Sequence, residues 1–535
     1  EQHMMIKNKL TLLLLVFVLL VISGCGPKKD PLREAFPRND IYYELFVRSF
    51  ADSDGDGIGD FQGLIAKLDY LESLGVTGLW LMPIHPSPSY HGYDVIDYYD
   101  VNPDYGTLDD FKQLLKETKK RGIKIMLDMV FNHSSDQHPW FKAALANDAQ
   151  YRDYYTFATP TTNRSLLGSW GQNIWHHQDD QYYVGYFSPS MPDLNFFNKE
   201  VHKEIAAISQ FWLDLGVSGF RLDAAAHFYG INEYQNQRYD DYENIIFLQV
   251  LRNNLRKLNS QFYLTGEIYI TAESIVAPYF RGLDSPLDFP VALKTSTIAG
   301  ANGSTTYVNS LIKIYELYAK ENPAFISAPF LFNHDMDRVA DQLGGDMEKM
   351  KLAAEMLLVL PGSPILYYGE EVGMHGVKAN GELSQGIAVW DETRRLPFPF
   401  GDEYETTWFT DSNFPSVLAN QKLKPLSLQI TEPTSLFKTY QQMIAVRKAN
   451  PALYYGNHLS PYEKNNYQLQ GFYREFSYLN HYQKVLVIHN LSRQAQAIEA
   501  LGTILYLSNT TDFTDVCEIP PKSTIIFDVS EADNA

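Results

Sequence analysis

"GFRLDAAAH" spans residues 219–227, and its reading decides the fold. Apolar residues and a glycine surround Arg221, Asp223 and His227, as in a buried strand. A charge buried in such a strand is costly unless it is paired or used. The stretch just before it, "KEVHKEIAAISQFWLDLG" (199–216), reads as a helix. A helix therefore feeds a strand whose end carries charge.

The same succession recurs on both sides. "IYYELFV" (41–47) is a β-branched and aromatic run, and "FQGLIAKLDYLESLG" (61–75) places leucines at helical spacing before Gly75. "GLWLMP" (78–83) reads as a second strand. "TLDDFKQLLKETKKRG" (107–122) is a helix capped by Thr107, and "IKIMLDMVF" (123–131) is a third strand. Beyond the fourth strand, a helix around 241–258 leads to "FYLTGEIY" (262–269). "SPLDFPVAL" (285–293), "FISAPFLFNHD" (325–335) and "SPILYYGEE" (363–371) read as the sixth, seventh and eighth strands. The expected class is α/β, a (β/α)8 TIM barrel. The long polar and aromatic stretch 134–190 is an insertion domain after the third strand. From about 455 the short alternating runs predict a C-terminal antiparallel β-sandwich, residues 455–535. The barrel then comprises 38–133 and 191–454. No glycine-rich phosphate loop follows the first strand, so nucleotide binding has no support.

The chain has 535 residues and a net charge of −20, which argues against nucleic acid as a partner. Thirty-six Tyr, 31 Phe and 7 Trp supply a core and also flat apolar faces of the kind that stack on sugar rings. Residues 1–24 read as a signal peptide, with Lys7 and Lys9 before an apolar run at 10–22 that is short for a membrane span. "VISGC" (21–25) resembles a bacterial lipobox, so lipid is expected on Cys25, with 25–37 as a tether. This predicts a secreted protein, anchored to the membrane through Cys25 at the outer face of the bacterial cell, and a monomer. Cys517 is the one other cysteine and reads as a buried apolar residue.

Catalytic groups of a barrel project from the C-terminal ends of its strands. Those ends carry Asp128, Asn132 and His133; Arg221, Asp223 and His227; Glu267; and Asn333, His334 and Asp335. Cleaving a glycosidic bond takes two carboxyls, one protonated and one ionised. Asp223 beside Arg221 is expected to stay ionised and to act as nucleophile. Glu267, at an apolar strand end, is expected to hold its proton and act as general acid.

"DMVFNH", "GFRLDAAAH", "GEIY" and "FLFNHD" resemble, in order and position, the four motifs of the α-amylase superfamily, glycoside hydrolase family 13. "MPDLN" (191–195) resembles its fifth motif, and "HGYDVIDYY" (91–99) its substrate-stacking segment. The resemblance implies a retaining mechanism on α-glucosidic bonds, with Asp223, Glu267 and Asp335 catalytic. It implies substrate contacts from Tyr93, Asp128, His133, Arg221, His227, His334 and Arg338. Ala226 stands where the α-amylase form commonly has Lys, and "MPDLN" resembles the neopullulanase subgroup. The expected activity is an α-amylase acting on starch or maltooligosaccharides. Neopullulanase, cyclomaltodextrinase or a transglycosylating maltodextrin glucosidase is the alternative, and a non-catalytic carbohydrate-binding relative is a different class.

"DSDGDGIGD" (52–60) places Asp52, Asp54, Asp56 and Asp60 at alternating positions, with hard oxygen donors suited to Ca2+ and the Ile58 carbonyl as a further ligand. A second Ca2+ site, from Asn132, Asp193 and the His227 carbonyl, is implied by the resemblance alone.

Overall fold

The computed structural model describes residues 31–230, 241–295, 297–499, 501–510, 513 and 518–531. The expected leader, Cys25 and Cys517 lie outside them. Three parallel strands open the barrel: β1 (Tyr42–Leu45), β2 (Gly78–Leu81) and β3 (Lys124–Met129). The insertion follows, with its hairpin of β4 (Trp175–Gln178) and β5 (Gln181–Val184). The barrel resumes with β6 (Gly219–Leu222), β7 (Tyr263–Gly266), β8 (Ser285–Pro286) and β9 (Ile365–Tyr367).

These seven barrel strands form one sheet in the order β8-β7-β6-β3-β2-β1-β9. The ring is completed by 328–330, where the seventh strand was expected. There is no ladder at this position. Instead, Leu287 makes a single parallel bridge to Ala328, and Phe330 makes another to Ile365. Pro329 lies between them and has no N–H to donate, although its carbonyl still accepts from Ile365 N at 2.9 Å. The expected sixth strand is likewise cut to two residues. Pro286 and Pro290 flank its end, and 290–295 turn into a π-helix.

Helices cover the outside for the reasons the sequence suggests. Thr107 and Asp110 form a reciprocal cap on Leu108–Lys120. Lys199–Leu215 is capped by Asn198, buries Val201, Ile205, Ile208 and Trp212, and stops at Gly216 with φ +111°. The expected helix over 61–75 is two helices, Phe61–Ala66 and Leu68–Leu74, meeting at Lys67.

Part of the expected tether is folded. Pro31–Ala35 is a short helix that buries Leu32, and the next residue, Phe36, sets its ring against Tyr455, Phe476 and Tyr478. A separate hairpin, β10 (Glu382–Ser384) and β11 (Ile387–Val389), precedes the C-terminal unit, whose strands are β12 (His458–Pro461), β13 (Leu469–Tyr478), β14 (His481–Asn490), β15 (Gln496–Ala497), β16 (Thr503–Leu507), β17 (Glu518–Ile519) and β18 (Ser523–Asp528). Five of these pair antiparallel in the order β12-β13-β14-β18-β16, and β15 pairs with β17. Buried Glu355, on a barrel helix, accepts from Tyr506 Oη at 2.8 Å and joins the two units.

Gly362 tests the closing seam. Its φ is +91°, and a Cβ there would run into the backbone of Ser327. Gly362→Ala is expected to destabilise the barrel by about 1–3 kcal/mol, read as a lower melting temperature by calorimetry. An unchanged melting temperature would show that the seam has slack.

Candidate active site

The C-terminal ends of β3, β6 and β7 meet around one guanidinium. Arg221 is fully buried. Its Nη1 donates to Asp128 Oδ1 at 2.8 Å and to Asp223 Oδ1 at 2.7 Å, and its Nη2 donates to Glu267 Oε2 at 2.8 Å. The parallel register sets this up: Asp128 pairs with Arg221 across β3 and β6, and Glu267 directly follows β7. Ala224, just after Asp223, has φ +46°, a conformation unfavourable for a residue with a Cβ. That bend turns its N–H onto Glu267 Oε2 at 3.0 Å.

A second cluster adjoins the first. His334 Nδ1 meets Glu44 Oε1 at 2.5 Å, and Nε2 lies 3.0 Å from Asp335 Oδ2 and 2.6 Å from Tyr93 Oη. Tyr93 Oη donates to Asp128 Oδ2 at 3.1 Å, and Trp80 Nε1 donates to the same oxygen at 3.2 Å. Tyr93 stacks on the His334 ring at 5.5 Å. Arg395 Nη2 donates to Asp335 Oδ1 at 2.9 Å.

The charge states follow from this enclosure. Burial pushes Glu267 upward, and the neighbouring Asp223 and Asp335 add to that against the pull of Arg221. Asp223 also moves upward. Burial outweighs Arg221, so the guanidinium alone does not make Asp223 the readily ionised carboxyl the sequence suggested. Burial raises Asp128 to about 7. Burial opposes charge on His334, but Asp335 and Glu44 more than offset it and push its pKa up to about 10. Asp335 is held well below the usual carboxylate range: desolvation works against ionisation, and His334, Arg395 and Arg221 overcome it. Burial lowers His133 to about 4, so it is neutral.

The structure therefore brings Asp128, Arg221, Asp223, Glu267, Tyr93, His334 and Asp335 together. His133 sits beside them, its Nε2 3.0 Å from the Tyr93 carbonyl. His227 packs on Tyr186 and Phe187 at the insertion side. Arg338 is not brought in. It is buried with its Nη1 on the Tyr368 carbonyl and its Nε on the Arg394 carbonyl, so it braces the loop instead of facing the cleft.

Sequence reasoning missed three partners. Glu44 was findable, because it is a charge inside an apolar strand, as Arg221 is. Arg395 lies in a long irregular loop with no periodic signal. Tyr269, two residues past Glu267 and about half exposed, feels both Asp335 and Glu267.

Among the described residues, Asp52, Asp54 and Asp60 form the one group of three acidic or histidine ligands able to converge, each offering an oxygen within 4.8 Å of the others. Asp56 is outside that group; its Oδ1 accepts from Ile58 N at 2.7 Å. Asp60 doubles as the cap of helix Phe61–Ala66. At the second expected metal site, Asn132 and Asp193 are neighbours through the His133–Asp193 bridge, and Asp193 and His227 line one small cavity. The Asn132 amide, however, lies against the His133 ring, Nδ2 to Nδ1 3.3 Å.

A family model described as alpha amylase, catalytic domain, matches residues 44–456. Over 499 residues the chain is 36% identical to Alpha-amylase 3 of Dictyoglomus thermophilum, an alignment covering 92% of this chain and 94% of that relative. It is also 36% identical over 358 residues to a 4-alpha-glucanotransferase of Thermotoga maritima, covering 66% and 77%. Among solved structures, an alpha-amylase from H. orenii matches with a TM-score of 0.80 at 37% identity, covering 91% of this chain and 99% of that one. With its carboxyls gathered at the mouth of the barrel and most of its length matched, the chain belongs to the α-amylase family of glycoside hydrolases, family 13.

Proposed function

We propose that the chain hydrolyses α-1,4-glucosidic bonds in starch-type glucans and maltooligosaccharides, with retention of configuration. The observation that carries this reading is the pairing of Asp223 and Glu267 on the two nitrogens of one buried guanidinium. Glu267 gives its proton to the leaving oxygen while a carboxylate oxygen of Asp223 attacks the anomeric carbon. The glycosyl ester on Asp223 then yields to water, whose proton passes to Glu267 as its oxygen bonds the sugar. Asp335, ionised between His334 and Arg395, is placed to accept from sugar hydroxyls, and Tyr93 offers a face to the reacting ring. The equal identity to a glucanotransferase favours a second reading, transfer of the glycosyl group to another sugar instead of water. Products from maltoheptaose longer than seven units would identify it.

The loop 52–60 fits Ca2+. Asp52, Asp54 and Asp60 offer hard oxygens close together, and Asp52 also gathers the loop by accepting from Gly55 N and Gly57 N. A bound ion there would stiffen the loop beside β1; it takes no part in the proton transfers. The apolar run at 10–22 followed by Cys25 supports export and lipid attachment outside the cell.

Glu267→Gln is expected to lower kcat on maltoheptaose by about 10²–10⁴-fold without changing the melting temperature; retained turnover would remove Glu267 as the acid. His334 is raised on folding from 6.5 to about 10, so its stabilising contribution is complete below the lower value and is lost as pH rises through the upper one. Urea melts should show the wild type's advantage over His334→Gln shrinking from pH 6 towards about pH 10; an advantage that grows with pH contradicts the pairing. Chelation is expected to lower the melting temperature and added Ca2+ to restore it, with Asp54→Asn insensitive to both. Equal sensitivity in wild type and variant would place the ion elsewhere.

A further inference from the structure

Trp170 stands at the tip of a turn in the insertion, with 66% of its surface open to solvent. An exposed indole forgoes a large hydrophobic gain, yet the turn that carries it is tightly built. Leu167 and Asn173 pair across its base. Gly168 N donates to the Gln172 carbonyl and Gly171 N to the Gly168 carbonyl, each at 2.9 Å. Trp170 N donates to Gln172 Oε1 at 2.9 Å, and Gln172 Nε2 donates to the Tyr186 carbonyl at 3.1 Å. Ser169 N donates to Tyr186 Oη at 3.0 Å. The turn is fastened to Tyr186 and holds the indole outward.

Behind the indole, packed aromatic contacts run back toward the cluster of carboxyls. The Trp170 ring lies 5.7 Å from Tyr186 and 5.8 Å from Phe187. Phe187 lies 5.3 Å from His133, whose Nε2 meets the carbonyl of Tyr93, the residue stacked on His334.

We propose that Trp170 is a stacking platform for a glucose unit remote from the bond being cut, so that the insertion selects long α-glucan chains over short ones. This rests on the hydrolase reading above and names a specificity determinant for it. The C–H face of a pyranose is apolar and suits the electron-rich face of an indole. A chain that reaches from the carboxyls to Trp170 gains binding that a short oligosaccharide cannot reach. Continuity with the catalytic cluster identifies the occupant as substrate.

The test compares wild type, Trp170→Ala and Trp170→Phe on maltotriose and maltoheptaose. In the alanine variant KM for maltoheptaose is expected to rise about tenfold, with kcat, the maltotriose constants and the melting temperature unchanged. Phenylalanine should restore most of the loss. An equal rise on both sugars, or none on maltoheptaose, overturns the proposal. If wild type cleaves neither sugar, the hydrolase reading fails by itself. Calorimetric binding of maltoheptaose then decides the platform: about tenfold weaker binding by the alanine variant supports it, and equal affinity overturns it.

Discussion

Arg221 is a cation shut off from bulk solvent, and the centre of this protein is arranged to make that tolerable. Three carboxyls close on it, Asp128 and Glu267 from the two neighbouring strands and Asp223 from the end of its own. One positive charge cannot balance three negative ones in a low dielectric, so burial drives all three carboxyls upward. That excess is the chemical resource. A site with one carboxyl per cation would hold every acid ionised and leave none to donate.

The adjoining cluster is balanced differently. His334 carries charge because Glu44 and Asp335 face its two nitrogens, and Arg395 reinforces Asp335 from the other side. Asp335 is thus held well below the usual carboxylate range, while burial and the neighbouring carboxyls push Glu267 upward. Two carboxyls in one cleft are driven apart in acidity by their neighbours. Tyr93 links the clusters, touching both Asp128 and His334.

Much of this was legible in the sequence, because burial of a charge leaves a mark. Asp128, Arg221 and Glu267 sit in or directly after strands whose other residues are apolar, and their position at strand ends is a matter of counting. Glu44 carries the same mark, but it stands ahead of any recognisable motif, in a strand whose other residues read as purely apolar and aromatic. Arg338 was misplaced for the opposite reason: it stands three residues past Asp335 in sequence, and only three-dimensional packing turns it away, onto the carbonyls of Tyr368 and Arg394. Arg395 belongs to a long loop, where spacing carries no information about direction. The sixth and seventh strands were expected from their apolar content. Prolines at 286, 290 and 329 remove donors that a ladder requires, so their pairing is shorter than their composition suggests.

That shortage of donors has a kinetic side. Elsewhere the ring is sewn by runs of consecutive residue pairs, but around 287–330 and 330–365 single bridges do the joining. Fewer backbone hydrogen bonds guard this side than any stretch from β9 through β1 to β7. The amide protons of Ala328 and Phe330 are therefore expected to exchange ahead of those in the laddered strands. Asp335 lies five residues downstream, so an opening on this side would loosen its carboxyl before Arg221 and its partners on β3, β6 and β7 come apart.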